Sequence, residues 1–397
     1  MEIIKFLLVG GVLSLLIGQT IRLPLSAAAG AITITDILVF FAGIVFLFYN
    51  LTIKKSIKLP GEIWSQVLLF SLAALSSTIL ASKNFSFVQL GISSLFLVRF
   101  LLYFFLAIIF YNIVKKSEVR NWINLMLSVG LIFAILGFVQ LIIFPDFSFL
   151  VPFGWDPHQL RLASTLLDPN FSGAIFSILI SISLSLLLTT KRKIYFFIFV
   201  IYLMVLILTF SRSSYLAMIV VILTIGLLRS PRALVATSLF LITVFSVLPQ
   251  ARSRIIGAFT LDETSRSRLE SWSQALNIFK DNPVFGVGFN TYRFTQAKYG
   301  FFTTDEPLGG HSGAGTDSSI LLVAATTGIF GLIFYLYLIF SIIKVFARSA
   351  KSSYLHLASL ASFLGLLVHS QFVNSLFFPQ VMFLIWILVG LNLKNDT

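Results

Sequence analysis

Long apolar stretches dominate the 397-residue chain and limit what it can fold into. About 20 apolar residues cross a bilayer core as a helix. Backbone groups must be paired internally in lipid, and the absence of two-residue alternation favours helices over a barrel. Charged residues make up only 11% of the chain, which excludes a single soluble domain. The sequence therefore predicts an all-α polytopic membrane protein, one bundle over residues 1–397, with about twelve transmembrane helices at 3–21, 33–53, 63–82, 94–114, 121–144, 170–189, 194–210, 213–229, 233–248, 318–343, 354–373 and 376–393.

The basic residues of the short loops predict the orientation. If both termini are cytoplasmic, the inner loops hold sixteen basic and four acidic residues, as the positive-inside rule requires. The formal net charge of +13 is then a consequence of topology, and we expect no nucleic-acid partner.

The predicted outer face is different in kind. It carries eleven acids and eleven bases, and eight of those bases are arginine, whereas eleven of the sixteen inner bases are lysine. Arginine presents a planar fork that holds carboxylate or phosphate oxygens with two hydrogen bonds. We therefore expect the outer face to bind an anion.

Two predicted outer loops, about 145–169 and 249–317, are longer than simple connections need to be. Within the second loop, helical spacing predicts an amphipathic helix from Ser267 to Lys280, started by a Ser267–Glu270 capping box. Its predicted apolar face consists of Leu269, Trp272, Leu276 and Phe279.

Three arginines lie near predicted helix ends. Arg161 precedes Asp168-Pro169-Asn170, which either forms only a turn and helix cap or accompanies an anion-binding arginine. Arg212 joins two apolar helices with almost no loop, so it either extends to the interface or lines a polar cavity. Arg99, inside the fourth predicted helix, offers the same two alternatives.

Two more arginines, Arg266 and Arg268, flank the predicted start of the amphipathic helix. A helix N-terminus favours an anion, although solvated arginines on a surface helix are the alternative.

The segment from His311 to Asp317 contains two titratable groups just before a predicted helix. Either could deprotonate a hydroxyl nucleophile, although Asp317 could instead be a helix cap. His158, His356 and His369 are weaker candidates. The chain has no cysteine and no grouping with metal-site spacing, so we expect neither a metal nor another cofactor.

Four motifs lie within about residues 99–343: Arg268 followed by Trp272 and Ala275-Leu276, a Pro283-x-Phe285-Gly286-x-Gly288 turn, a Thr209-x-Ser211-Arg212 helix end, and Asp168-Pro169-Asn170 after Arg161. In these motifs the chain resembles the O-antigen ligase and polymerase superfamily.

This resemblance implies a multi-helix glycosyltransferase with a large periplasmic or extracellular loop. Members transfer a glycan from undecaprenyl pyrophosphate to a hydroxyl of a lipid A core sugar, another lipid-linked repeat, or a protein. Arg161 and Arg212 would hold the pyrophosphate, with Arg268 close by. The ligases have a histidine where this chain has Asp317. This difference weakens the assignment to a lipopolysaccharide ligase and keeps a polymerase-like enzyme or another glycan transferase as an alternative.

The sequence thus predicts a metal-independent membrane glycosyltransferase in the cytoplasmic membrane, with its site on the outer face. Asp317 or His311 would be the base, and Arg212, Arg161, Arg268, Arg266 and Arg99 would be the candidate pyrophosphate ligands. The alternatives are a twelve-helix transporter or lipid-linked glycan flippase, and a non-catalytic partner of a glycan-assembly machine.

Overall fold

The computed structural model describes residues 1–24, 30–54, 56–153, 155–301 and 315–396, and most of them are helical. One antiparallel pair, β1 (Arg22–Pro24) with β2 (Ala31–Thr33), joins the first two helices. The helices in the described ranges are α1 (Glu2–Leu13), α2 (Ile34–Tyr49), α3 (Gly61–Leu80), α4 (Phe87–Ile113), α5 (Val119–Ile143), α6 (Pro169–Thr190), α7 (Lys193–Leu208), α8 (Arg212–Arg229), α9 (Pro231–Val247), α10 (Pro249–Phe259), α11 (Glu263–Asp281), α12 (Tyr292–Lys298), α13 (Ser319–Ala347), α14 (Tyr354–His369) and α15 (Pro379–Asp396).

Each of the twelve predicted apolar stretches contains one helix, α1 to α9 and α13 to α15. Seven helices in the described ranges are long and apolar enough to cross a membrane: α3, α4, α5, α6, α8, α13, and α2 together with the helical turn that continues it to Lys54. Helices α7, α9 and α14 are apolar but shorter. The all-α, multi-pass class is confirmed, and the number twelve stays a prediction.

Helix α6 lies at the centre of the bundle. Every residue from Ser172 to Leu186 is buried. Small residues on α6 let its neighbours come close: Ser181 Oγ donates to the Ala358 carbonyl of α14 at 2.7 Å, and a Cβ on Gly173 would overlap Ser214 of α8. The close packing of these helices brings the N-terminal ends of α6 and α8 together with the C-terminal end of α14.

The outer loop folds into α10, α11 and α12, and it corrects two expectations about the amphipathic helix. Helix α11 begins at Glu263, and its cap is Asp262, whose carboxylate accepts from the Ser265 N–H at 3.0 Å. The expected capping box at Ser267 is wrong, because Ser267 is inside the helix and its hydroxyl donates to the Glu263 carbonyl.

The predicted apolar face of α11 is also wrong in part. Leu269 and Leu276 are exposed, whereas Ala275 and Ile278 are buried against α13 and the loop before α12. Ala275 is small, so its side of α11 can approach α13 more closely than a row of leucines would allow.

A backbone contact joins the outer loop to α13. Helix α13 breaks at Gly328, where φ is 65°. The break frees the Ala325 carbonyl and the Ile329 N–H from each other, and both pair with the glycine turn (residues 283–288). Val287 N–H donates to Ala325 O at 3.1 Å, and Ile329 N–H donates to Pro283 O at 2.8 Å. The C-terminal end of α11 is therefore held against the middle of α13.

The replacement Gly328→Ala tests this contact. A Cβ at Gly328 would overlap the Val284 carbonyl, and the backbone has a positive φ as well. We expect the free energy of unfolding to fall by about 2–4 kcal/mol, measured by denaturation of the purified protein in detergent.

Gly300→Ala is the matched control, because Gly300 has a φ of 67° with nothing within 4 Å of the added Cβ. Its free energy of unfolding should fall only by the cost of placing an alanine at a positive φ, about 1–2 kcal/mol. Equal losses in the two variants would contradict the proposed role of the contact.

Candidate active site

A cavity of about 290 Å³ opens where the long loops meet the bundle. Its walls come from β2, α4, α11 and α12, and from the segments that precede α6, α13 and α15. Asp317, Arg268 and Asn170 line it, although they are far apart in the sequence.

Arg161 is held at the junction of α7 and α8, beside this cavity. Its Nε donates to the Thr209 carbonyl at 2.9 Å, and its Nη2 lies 3.4 Å from both the Phe210 carbonyl and the Asn170 side-chain oxygen. Burial, together with the charges of Arg254 and Arg268, lowers the pKa of Arg161 to about 10, and the charge of Asp168 opposes that shift. Neutral oxygens thus orient this guanidinium without cancelling its charge.

Arg268 and Asp317 lie close together in the cavity. The main chain of Asp317 is attached to α11, because its N–H donates to Ser271 Oγ at 3.0 Å, three residues beyond Arg268. Burial raises the pKa of Asp317 to about 6, while the positive charge of Arg268 opposes that rise. Burial and the charge of Arg212 lower the pKa of Arg268, which Asp317 counteracts.

Asp317 is not the cap of α13. That position belongs to Ser318, whose hydroxyl accepts from the Leu321 N–H at 3.3 Å. In contrast, Asp168 caps α6, since it accepts from the Asn170 N–H at 2.7 Å, and Pro169 takes the first helical position. Asp168 also lines the cavity, so the capping role of this motif is compatible with a place in the site.

Arg212 is engaged by a carboxylate next to the cavity. It forms an ion pair with Asp262, and its Nη1 donates to Ser265 Oγ at 2.9 Å. Arg212 holds the pKa of Asp262 well below its usual range. Because Asp262 is the cap of α11, this pair joins α8 to the start of the helix that carries Arg268.

The other sequence candidates have different surroundings. Arg99 lines the cavity but is paired with Asp36, with Nε at 3.0 Å and Nη2 at 2.9 Å from its carboxylate oxygens. Arg266 is exposed, and its Nε donates to the Leu261 carbonyl at 2.9 Å. His311 lies outside the described residues.

The sequence indicated His158 and His369 only as weaker candidates and did not single out Arg293, although all three lie at or below the cavity. His158 lines it, and burial together with the charge of Arg161 lowers its pKa to about 4, so its ring is neutral at pH 7. His369 is fully buried and lies 3.1 Å from the Asn170 carbonyl and 3.3 Å from Ser214 Oγ. Arg293, on α12, is 8% exposed and lines the cavity.

The sequence held partial signals for two of them. His158 is three residues before Arg161, and Arg293 is five residues after the end of the glycine turn. Within the described ranges, no group of three or more His, Cys, Asp or Glu side chains is arranged to hold a metal ion.

Comparison with known proteins gives an independent result. Residues 197–336 match the family model described as O-antigen ligase, and this stretch runs from α7 to α13 with Arg212, Arg268, the glycine turn and Asp317 inside it. Arg161 lies outside the match, which covers about a third of the chain. A search of the curated proteins finds no match. Residues 197–336 are thus similar to the O-antigen ligase family, which supports the resemblance of the chain to the O-antigen ligase and polymerase superfamily.

Proposed function

We propose that this protein is a metal-independent membrane glycosyltransferase. It moves a glycan from an undecaprenyl-pyrophosphate donor to a hydroxyl of a glycan, lipid or protein acceptor. One observation carries the proposal: a carboxylate with a raised pKa, Asp317, lines the same cavity as Arg268, and Arg161 lies beside the cavity residue Asn170. The O-antigen ligase match supports glycan transfer as the reaction class.

In this reaction the acceptor oxygen attacks the anomeric carbon, and the bond from that carbon to the pyrophosphate oxygen breaks. Asp317 takes the proton of the attacking hydroxyl. With a pKa of about 6 it is mostly ionised at pH 7 and is a stronger base than an ordinary aspartate. The electron pair of the broken bond leaves with undecaprenyl pyrophosphate, so negative charge grows there.

Arg161 and Arg268 suit the stabilisation of that leaving charge. Neither forms an ion pair with a carboxylate among the described residues, and carbonyl oxygens already orient Arg161. Donors that are held in place before the reaction stabilise developing charge with little reorganisation. Arg99 is neutralised by Asp36, and Arg266 is exposed. We therefore propose that both arginines contribute only to the electrostatic potential around the site and do not contact the pyrophosphate.

We further propose that all twelve apolar helices span the cytoplasmic membrane, with both termini inside and the cavity on the periplasmic or extracellular side. Residues assigned to the inner face contact one another: Lys5 bonds Glu118, and Arg348 bonds Glu62. His356 contacts Asp396 at 3.0 Å. Each of these three contacts joins segments that the predicted twelve-span topology places on the cytoplasmic side of the membrane.

The variant Asp317→Asn should lower glycan transfer about 100-fold or more, measured in membranes that contain the lipid-linked glycan of the source cell. Wild-type activity should fall as the pH drops below about 6, because the base must be ionised, and the residual activity of the variant should lack that acid limb.

Glu263→Gln removes an exposed carboxylate of the same outer loop and should retain full activity. Full activity of Asp317→Asn would contradict the role of the base. Passage of the lipid-linked glycan across reconstituted vesicles, with no new glycosidic bond, would favour a flippase.

For Arg268→Gln we expect a loss of about 100-fold in kcat/KM, because one preorganised donor to the leaving group is removed. Arg252→Gln makes the same change of charge at an exposed position of α10 and should stay within about twofold of wild type. Equal effects in the two variants would show that only the overall charge of the loop matters.

The pair Arg212–Asp262 allows a double-mutant test. If Arg212 acts by holding α11, then Arg212→Ala, Asp262→Ala and the double variant should lose similar amounts of activity, because each breaks the same contact. A much larger loss for Arg212→Ala than for Asp262→Ala would instead assign Arg212 to direct contact with the donor.

A further inference from the structure

Arg293 is a buried cation that the proposed reaction does not use. It is the second residue of α12, it is 8% exposed, and it lines the cavity. Its Nε is buried without a hydrogen-bond partner, and no carboxylate in the described ranges forms an ion pair with it. A buried guanidinium with an unsatisfied donor is costly, so such a group in a folded protein calls for an explanation.

The surroundings of Arg293 separate it from the arginines near Asp317. Burial lowers the pKa of Arg293 to about 10, and no charged residue of the described chain contributes to that shift. In contrast, Arg161 and Arg268 each respond to several charged neighbours. Arg293 is therefore a cationic position of the cavity that is distinct from the group of charges around Asp317.

The cavity that Arg293 lines is partly aromatic. Phe96 of α4 and Phe294 of α12 belong to the cavity wall, as do Ser93 and Asn290. The Ser93 hydroxyl donates to the main-chain carbonyl of Asn290 at 3.3 Å. Aromatic faces suit the apolar faces of a large organic ligand, and a guanidinium fork suits a carboxylate or phosphate. The combination fits an organic oxyanion better than an isolated inorganic ion.

We propose that Arg293 forms a second anion site, which binds a carboxylate or phosphate group of the acceptor substrate. This inference rests on the proposed function, in which the donor pyrophosphate occupies the region of Arg161 and Arg268. Two sources share the required chemistry: an acidic sugar of the acceptor glycan, and the pyrophosphate of a second lipid-linked chain. In either case Arg293 positions the acceptor and takes no part in proton transfer.

The experiment uses the full chain in phosphatidylcholine nanodiscs and counts bound ligands by native mass spectrometry. The first probe is undecaprenyl pyrophosphate alone. The second probe is digalacturonate, added with undecaprenyl pyrophosphate present, and a neutral digalactoside is its control. Wild type should bind two anionic ligands at once, either two lipids or one lipid and one digalacturonate, and this result identifies the source.

Arg293→Gln should lower the affinity for the second ligand about 10- to 100-fold and leave the affinity for the first lipid unchanged. Arg268→Gln should lower the affinity for the first lipid and leave the affinity for the second ligand unchanged. Arg252→Gln should change neither affinity. Unchanged binding of the second ligand in Arg293→Gln would overturn the inference, and so would an equal loss of both ligands. If Arg268→Gln leaves the first lipid unaffected, the proposed function fails, while a selective effect of Arg293→Gln would still establish the second site.

Thermal unfolding separates a binding role from a structural one. Removing an unpaired buried charge should leave the Tm of Arg293→Gln equal to that of wild type or raise it. A clear fall in Tm would assign Arg293 to the stability of the fold and contradict the inference.

Discussion

The docking of the glycine turn on the broken helix α13 is the contact on which the candidate site depends. A helix break in a membrane is tolerated only where the freed backbone groups find partners. Here the Ala325 carbonyl and the Ile329 N–H both pair with residues 283–288. Because the turn follows α11 directly, the contact holds α11 against α13, and the Ser271–Asp317 hydrogen bond then places Arg268 beside the carboxylate that precedes α13.

The arginines around the cavity differ in what opposes their charge. Arg99 and Arg212 each contact a carboxylate, and each pair joins two elements: α4 with α2, and α8 with α11. Arg161 is oriented by carbonyl and amide oxygens, which leave its charge available to an anion. The arginines of the predicted outer face therefore have two roles. Those paired with a carboxylate join two elements of the fold, and those held by neutral oxygens are candidates to bind an anionic ligand.

Much of the fold could be predicted from the sequence, because the length and continuity of an apolar run are local properties. Each predicted run contains a helix, whereas the buried face of α11 was predicted wrongly, since the close approach of Ala275 to α13 depends on a contact made far along the chain. The sequence alone also could not show that Ser318 rather than Asp317 caps α13. The position of Arg293 soon after the glycine turn could not show that it is buried, since its burial depends on how the long loop folds against the rest of the protein.

The central claim is that the pyrophosphate of the donor lies between the arginines and Asp317. A cryo-electron microscopy map of the full chain in nanodiscs with undecaprenyl pyrophosphate tests it most directly. The account predicts density for the two phosphates within hydrogen-bond reach of Arg161 and Arg268, on the side of the cavity that Asp317 lines. Pyrophosphate density outside this cavity, with Arg161 and Arg268 still in contact only with protein atoms, would contradict it.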